Sequence, residues 1–138
     1  MYPEELVAPM RDELTEAGFE ELKSAEAVDN KLRNQQGELL VVVNSVCGCA
    51  AGSARPGVIQ ALDNEKKPEQ LATVFAGVDK EATEQAREYM LPYPPSSPSV
   101  AFFKDGQLVH FIERHHIEGK PAEVIAQNLK AAFNEFCD

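Results

Sequence analysis

Two cysteines one residue apart are the part of this sequence best suited to chemistry. Cys47 and Cys49 flank Gly48 directly after residues 38–44, an apolar, β-branched run typical of a strand buried on both faces. A helix is expected to begin at the pair, where free backbone N–H groups and the helix dipole favour an anion. A thiolate is such an anion and is the reactive form of cysteine, so the pattern predicts a redox pair.

The position of each sulfur predicts its part in that chemistry. Cys47 lies nearer the helix start and the open end of the turn, so we expect it to be partly exposed, to have a lowered pKa and to act as the nucleophile. Cys49 is placed to attack a sulfur already bonded to Cys47. Gly48 and Gly52 keep the turn open to a bulky disulfide, and Gly48 is therefore assigned to substrate binding.

A proline-rich loop is the second feature that indicates a redox site. Residues 92–99 contain four prolines, which exclude regular structure and allow cis bonds. Pro98 directly precedes the predicted strand 100–103, a place where thioredoxin-like proteins have a cis-proline against the redox cysteines and a preceding residue that offers backbone groups to an extended substrate. By this resemblance, we expect a cis bond between Ser97 and Pro98 and assign both residues to substrate binding.

The elements that must position these residues follow from apolar periodicity and from glycine and proline breaks. Helices are predicted over residues 3–17, from Ser24 to before Gly37, through residues 58–62 with a kink or restart at Pro56, over residues 81–90 and from Pro121 onwards. Strands are predicted over residues 19–22, 38–44, 71–78, 100–103 and 108–112. A tight Asp105-Gly106 turn is expected to join the last two strands.

This order of elements predicts one α/β domain over residues 1–138, with parallel strands at the centre and a hairpin that makes the sheet mixed. We therefore expect a thioredoxin-like three-layer sandwich with helices on both faces and an N-terminal helical extension. The final helix is expected to present one apolar face, formed by Val124, Ile125, Leu129, Ala132, Phe133 and Phe136.

Composition excludes several classes of function. The formal net charge is −10, from 23 acidic and 13 basic side chains, and so acidic a surface repels the phosphates of nucleic acid. No run of roughly 18 apolar residues indicates a membrane span, and no basic segment followed by an apolar one indicates a signal peptide. The expected compartment is the cytosol, where three cysteines do not form a structural disulfide framework.

Two other interpretations of the Cys-Gly-Cys pair compete with a redox role. The cysteines could be inert core thiols, although a glycine-containing turn does not suit an interior location. They could also be half of a metal site with His110, His115 or His116, but the sequence has no second close cysteine pair and we expect no metal. His115 and His116, if extended, would point to opposite faces, which favours structural or surface roles.

Two further residues have open or structural roles. Arg55 could favour a nearby thiolate or could equally be a solvated surface residue. Cys137, on the apolar side of the last helix, is expected to serve in packing rather than catalysis.

Residues 43–56, Val-Asn-Ser-Val-Cys-Gly-Cys-Ala-Ala-Gly-Ser-Ala-Arg-Pro, resemble the active-site segment of the bacilliredoxin family. Three other segments resemble family segments in the same order: residues 1–3, 93–99 and 111–119. The redox motif does not depart from the family pattern.

The resemblance implies removal of bacillithiol from proteins whose cysteines it has capped. Cys47 would attack the bacillithiol sulfur of the mixed disulfide, and either a second bacillithiol or Cys49 would then resolve the adduct on Cys47. Bacillithiol would be a co-substrate, bacillithiolated client proteins the partners, and no cofactor would be tightly bound. A general disulfide isomerase or reductase, and a non-catalytic metal-binding protein, are the alternatives.

Overall fold

The computed structural model describes residues 2–138, and residue 1 of the predicted domain lies outside them. The predicted elements follow one another in the predicted order, and a short helix over Arg114–Ile117, which was not predicted, lies between the last strand and the last helix. The helices are α1 (Glu4–Thr15), α2 (Ala25–Leu32), α3 (Arg55–Ala61), α4 (Lys80–Glu88), α5 (Arg114–Ile117) and α6 (Ala122–Phe136), and a π-helical turn, Ala50–Ala54, precedes α3. The strands are β1 (Glu20–Glu21), β2 (Glu38–Asn44), β3 (Gln70–Phe75), β4 (Ser99–Lys104) and β5 (Gln107–Ile112).

The five strands form one mixed sheet in the order β1-β3-β2-β4-β5. β2 lies at the centre, parallel to β3 and antiparallel to β4, and every one of its residues is buried. This burial explains the continuous apolar run in the sequence, because both faces of the strand are covered. The predicted mixed sheet with parallel strands at its centre is confirmed.

Helices cover both faces of the sheet. Leu40 and Val42 of β2 pack on the side formed by α1, α3 and α6, whereas Leu39 and Val41 pack against α2 and α4. This alternation follows from the two-residue period of a strand. The predicted three-layer thioredoxin-like sandwich is confirmed.

The packing of α3 on α6 fixes the helix that follows the cysteines. A Cβ atom added at Gly57 would lie 2.6 Å from Cβ of Ile125 and 2.9 Å from the carbonyl oxygen of Ala122, so only glycine permits this close approach. The contact holds α3 in one position against the sheet. It therefore fixes the direction in which the chain continues after residues 45–49, the segment that contains both cysteines and is called the redox turn below.

The β4–β5 hairpin has the predicted two-residue turn. Asp105 and Gly106 both have positive φ, 49° and 82°, as the tight turns favoured in hairpins require. The strands are longer than predicted, because pairing extends to Lys104 and Gln107 at the turn. β3 is shorter than predicted, because it ends at Phe75 and a turn with a positive φ at Gly77 follows.

The apolar face of α6 differs from the prediction at one residue. Ile125, Leu129 and Phe133 are buried in the core, but Val124 is 42% exposed. Val124 lies on the solvent side because the following residue, Ile125, takes the place against α3.

In the part of the chain that the structure describes, α6 included, no helix is long and apolar enough to cross a membrane.

Candidate redox site

The cysteine pair lies where the central strand passes into a helix, as predicted. After β2 ends at Asn44, the N–H groups of Ala50 and Ala51 both donate to the carbonyl oxygen of Cys47, at 3.1 and 3.2 Å. A π-helical turn follows, an irregularity frequent at functional sites, and α3 then begins. Pro56 lies in the first turn of α3, where its missing N–H is not needed, so the expected restart is confirmed.

The two redox sulfurs lie in contact at the protein surface. The Sγ atoms of Cys47 and Cys49 are 2.6 Å apart, both cysteines are free, and either thiol can donate to the other. Both residues are half-buried, while Gly48 between them is exposed and a Cβ there would meet no atom within 4 Å. The turn is therefore open to an incoming disulfide, and the predicted partial exposure of Cys47 is confirmed.

The surroundings of Cys47 favour its thiolate. Burial alone would raise its pKa, but hydrogen bonds from the Cys49 thiol, the Ser45 hydroxyl and the backbone N–H groups of Ala50 and Cys49 outweigh burial and lower the pKa below that of an ordinary thiol. The N–H of Ala50 is thereby shared between the Cys47 sulfur and the Cys47 carbonyl oxygen, a three-centre arrangement common at helix ends. These donors favour the predicted lowering of the Cys47 pKa.

The surroundings of Cys49 instead disfavour ionisation of its thiol. Burial, the hydrogen bond that its thiol donates to Cys47 and repulsion by the Cys47 thiolate all raise its pKa, and the positive charge of Arg114 opposes this rise only in part. The two thiols therefore ionise in order: Cys47 first, and Cys49 while Cys47 is charged only at higher pH. One charge is shared between two sulfurs, as suits a nucleophile and a resolving thiol.

Alkylation across a pH series is expected to detect this order. Cys47 should react with iodoacetamide at a rate that falls as the pH drops through a pKa below that of a free thiol, because only the thiolate reacts. Replacing Cys49 with alanine removes a hydrogen-bond donor and should raise the pKa of Cys47, whereas Cys49→Ser keeps a donor and should raise it less. Peptide mass spectrometry assigns each rate, and a Cys49 that reacts at lower pH than Cys47 would reverse the assignment.

The buried side chain of Arg55 is hydrogen-bonded to the residues that lead into the redox turn. Nη1 of Arg55 donates to Oδ1 of Asn44 at 2.9 Å and to the carbonyl oxygen of Ser45 at 2.8 Å. Its Nε lies 3.1 Å from Oε1 of Glu13, an ion-pair contact without hydrogen-bond alignment. Ser45 in turn accepts the N–H of Cys47 at 3.2 Å through its hydroxyl. The solvated position considered for Arg55 is wrong, since its side chain is only 2% exposed.

The proline loop reaches the sheet beside the redox turn. The Ser97–Pro98 bond is cis, as predicted, and the Leu91–Pro92 bond of the same loop is cis as well. Ser99 pairs with Val43 of β2, so Pro98 lies level with the last residue of that strand, where the chain enters the turn. Pro98 is buried and Ser97 is half-buried.

Arg114 is a residue at the site that our sequence reasoning missed. Its Nη1 donates to the carbonyl oxygen of Ser97 at 2.9 Å, and its positive charge interacts electrostatically with both redox thiols. Val100 pairs with Ile112, so two residues further along the antiparallel pair Arg114 comes opposite Pro98. This register depends on a shift between Phe102 and Phe103, and a regular hairpin would place Glu113 there, so the sequence alone contains no signal that locates Arg114.

The histidines have partners other than the redox cysteines. Nε2 of His110 lies 2.6 Å from Oδ1 of Asn128, and Nδ1 of His115 lies 3.2 Å from a Glu113 carboxylate oxygen. His115 and His116 belong to α5 with their rings 4.0 Å apart, so the extended backbone considered for them is wrong. Within residues 2–138, no three His, Cys, Asp or Glu side chains are grouped as metal ligands.

Cys137 has the surroundings of a packing residue. It is 4% exposed and belongs to the core on the α6 side of the sheet. Burial and the neighbouring Glu38 carboxylate raise the pKa of its thiol to about 11. Its thiolate is therefore scarce at neutral pH, in contrast to that of Cys47.

Comparison with known proteins assigns the family. The family model described as "Disulphide isomerase" matches residues 2–137. A bacilliredoxin of Cytophaga hutchinsonii is 62% identical over 135 residues, which cover 98% of this chain and 99% of the relative. A bacilliredoxin of Halalkalibacterium halodurans is 53% identical over 137 residues, covering 99% and 95%.

Solved structures agree on the fold. Mitochondrial thioredoxin 3 of Saccharomyces cerevisiae, in its oxidised form, has a TM-score of 0.58 at 16% identity and covers 89% of this chain and 98% of its own. A mutant thioredoxin of Halobacterium salinarum has a TM-score of 0.60 at 15% identity, covering 88% and 93%. With a thioredoxin fold and this identity to named relatives along nearly its whole length, the chain belongs to the bacilliredoxin family of thiol–disulfide oxidoreductases.

Proposed function

We propose that this chain removes bacillithiol from client proteins whose cysteines carry it as a mixed disulfide. The observation that carries the proposal is the unequal thiol pair, with a lowered pKa at Cys47 and a raised pKa at Cys49. The family name of the relatives points to the same small thiol. The expected compartment is the cytosol, where reductants keep such thiols free.

The first step transfers bacillithiol to the enzyme. The Cys47 thiolate attacks the bacillithiol sulfur, the bond between that sulfur and the client sulfur breaks, and the client leaves as a thiolate that takes up a proton. Gly48, Ser97 and Pro98 are proposed to line the approach, because Gly48 is exposed and the loop lies beside the turn. Bacillithiol is a co-substrate in this scheme, and no cofactor is tightly bound.

Two routes can return Cys47 to the thiolate. A second bacillithiol can attack the bound one and leave as bacillithiol disulfide. Alternatively, Cys49 attacks the Cys47 sulfur, bacillithiol leaves as a thiol, and the resulting intramolecular disulfide requires a dithiol or two monothiols for its reduction. The charge on Cys47 disappears once its sulfur is bonded, so the repulsion that raises the Cys49 pKa disappears at the moment when Cys49 must ionise.

A comparison of the rates on two substrates tests the proposal. The reduced protein is mixed with a bacillithiol-capped client and, separately, with a protein of scrambled disulfides, and the products are followed by intact mass and by recovered client activity. We expect rapid loss of the bacillithiol mass from the client and slow reshuffling of the scrambled protein.

The reverse order of rates would overturn the proposal in favour of general disulfide isomerase or reductase activity. The description of the matching family model, "Disulphide isomerase", makes that activity the specific alternative.

A further inference from the structure

Arg114 is held at the edge of the redox site by the proline loop. It is the first residue of α5, its backbone N–H donates to Oγ of Ser96 at 3.3 Å, and its Nη1 donates to the carbonyl oxygen of Ser97 at 2.9 Å. Ser97 directly precedes the cis-proline Pro98. Two contacts with one loop therefore hold the Arg114 charge at Ser97, in the loop that meets the end of β2 where the chain enters the redox turn.

The Arg114 charge acts on the reacting sulfurs. It opposes the rise of the Cys49 pKa, and the guanidinium pKa is itself raised, first by its bond with Glu118 and then by the charges of Cys49 and Cys47. The chain as a whole carries −10 and repels anions. Salt screens charges beyond about 8 Å at physiological ionic strength, so a cation at the site prevails there over distant carboxylates.

The Arg114 guanidinium is accessible to solvent, and its ion pair with a protein carboxylate is weak. The Arg114 side chain is 41% exposed, and its Nε lies 3.1 Å from Oε1 of Glu118, which is 54% exposed. An exposed pair of this kind, four residues apart on a helix, is weak, so an incoming carboxylate can displace Glu118. A guanidinium has five N–H donors in a planar fork that matches a carboxylate, which lets Arg114 hold Ser97 and an anion together.

We propose that Arg114 determines specificity by binding a carboxylate of a small anionic thiol in the disulfide that Cys47 attacks. This inference rests on the proposed function, because bacillithiol carries carboxylate groups and is such a thiol. The Ser97 carbonyl oxygen accepts one hydrogen bond from Arg114 and keeps a second lone pair, so Arg114 can bind an anion without removing Ser97 from the substrate approach.

Three small symmetrical disulfides of different charge test the inference. The reduced protein is reacted with dithiodipropionate, bis(2-hydroxyethyl) disulfide and cystamine, which are anionic, neutral and cationic. Each rate is divided by the rate at which N-acetylcysteine amide, a thiol without a carboxylate, reduces the same disulfide, which removes differences in intrinsic reactivity. The ratio of the anionic to the neutral rate is independent of the fraction of Cys47 that is ionised. We expect this ratio to fall about tenfold in Arg114→Gln, the effect of losing one hydrogen-bonded charge contact.

Three further variants separate binding from structure. Arg114→Lys keeps the charge without the planar fork and should retain part of the preference. Glu118→Gln removes the competing carboxylate and should increase the preference for the anionic disulfide. Arg33→Gln is the matched control, since Arg33 is also an exposed arginine paired with a carboxylate four residues away, Asp29, and should leave the ratio unchanged.

Different results would overturn the role of Arg114 and the proposed removal of bacillithiol. An unchanged ratio in Arg114→Gln overturns the role of Arg114 even if the wild type removes bacillithiol from a capped client. A wild type that fails on the capped client, but whose preference for the anionic disulfide depends on Arg114, overturns the proposed function and supports Arg114 as the binding residue for another anionic thiol.

Discussion

Replacing Cys47 with serine is expected to abolish release of bacillithiol from a capped client, with a loss of about a thousandfold or more, because no other thiol is both accessible and ionised. Cys49 shares the open turn and is free of the repulsion of the Cys47 charge in this variant, but burial still raises its pKa, and Cys137 is buried with a pKa of about 11. The measurement is the rate at which the client loses the bacillithiol mass.

Cys49→Ser should behave differently from Cys47→Ser. It keeps the nucleophile and lacks the resolving thiol, so we expect one bacillithiol to accumulate on Cys47 and to be trapped there until a second thiol arrives. Cys137→Ser is the matched control and should keep wild-type kinetics, since this thiol lies in the core. Full-rate transfer of bacillithiol to Cys49 in the Cys47→Ser protein would contradict the assigned mechanism.

Replacing Arg55 with methionine is expected to destabilise the fold and the redox turn together. The substitution leaves the buried carbonyl oxygen of Ser45 without its Arg55 donor, whereas Oδ1 of Asn44 keeps the N–H of Ser45 as a donor. An unsatisfied buried acceptor costs about 1–3 kcal/mol, so we expect the free energy of unfolding to fall by about that amount. Urea denaturation measures this loss as a lower midpoint with an unchanged slope.

The same substitution should change the chemistry of Cys47. Ser45 is displaced when Arg55 no longer binds its carbonyl oxygen, and its hydroxyl is one of the donors that lower the Cys47 pKa. We therefore expect a higher Cys47 pKa in Arg55→Met, measured by alkylation against pH.

Glu13→Gln provides the control for Arg55→Met. It removes only the ion-pair partner, which is 44% exposed, and should cost much less stability. A stability and a Cys47 pKa both equal to those of the wild type in Arg55→Met would show that Arg55 does not support the turn.

Local patterns in the sequence predict the five strands, the long helices and the chemistry of the cysteine pair, but they did not predict α5. Residues 38–44 predict a buried strand because a strand covered on both faces must be apolar throughout. Asp105-Gly106 predicts the hairpin turn because few residue pairs tolerate positive φ at both positions. Cys47, at a strand-to-helix junction, predicts a stabilised thiolate because the first N–H groups of a helix have no partner within it.

Only the tertiary structure decided which charged groups support the site. The sequence around Arg55 does not distinguish a buried from a solvated arginine, because its burial depends on partners in β2 and α1 that are distant along the chain. The role of Arg114 depends in the same way on its contact with the carbonyl oxygen of Ser97, a residue of another loop. Apolar periodicity and turn propensities act between near neighbours and are legible in one sequence, whereas the environment of a charge is set by all the elements packed around it.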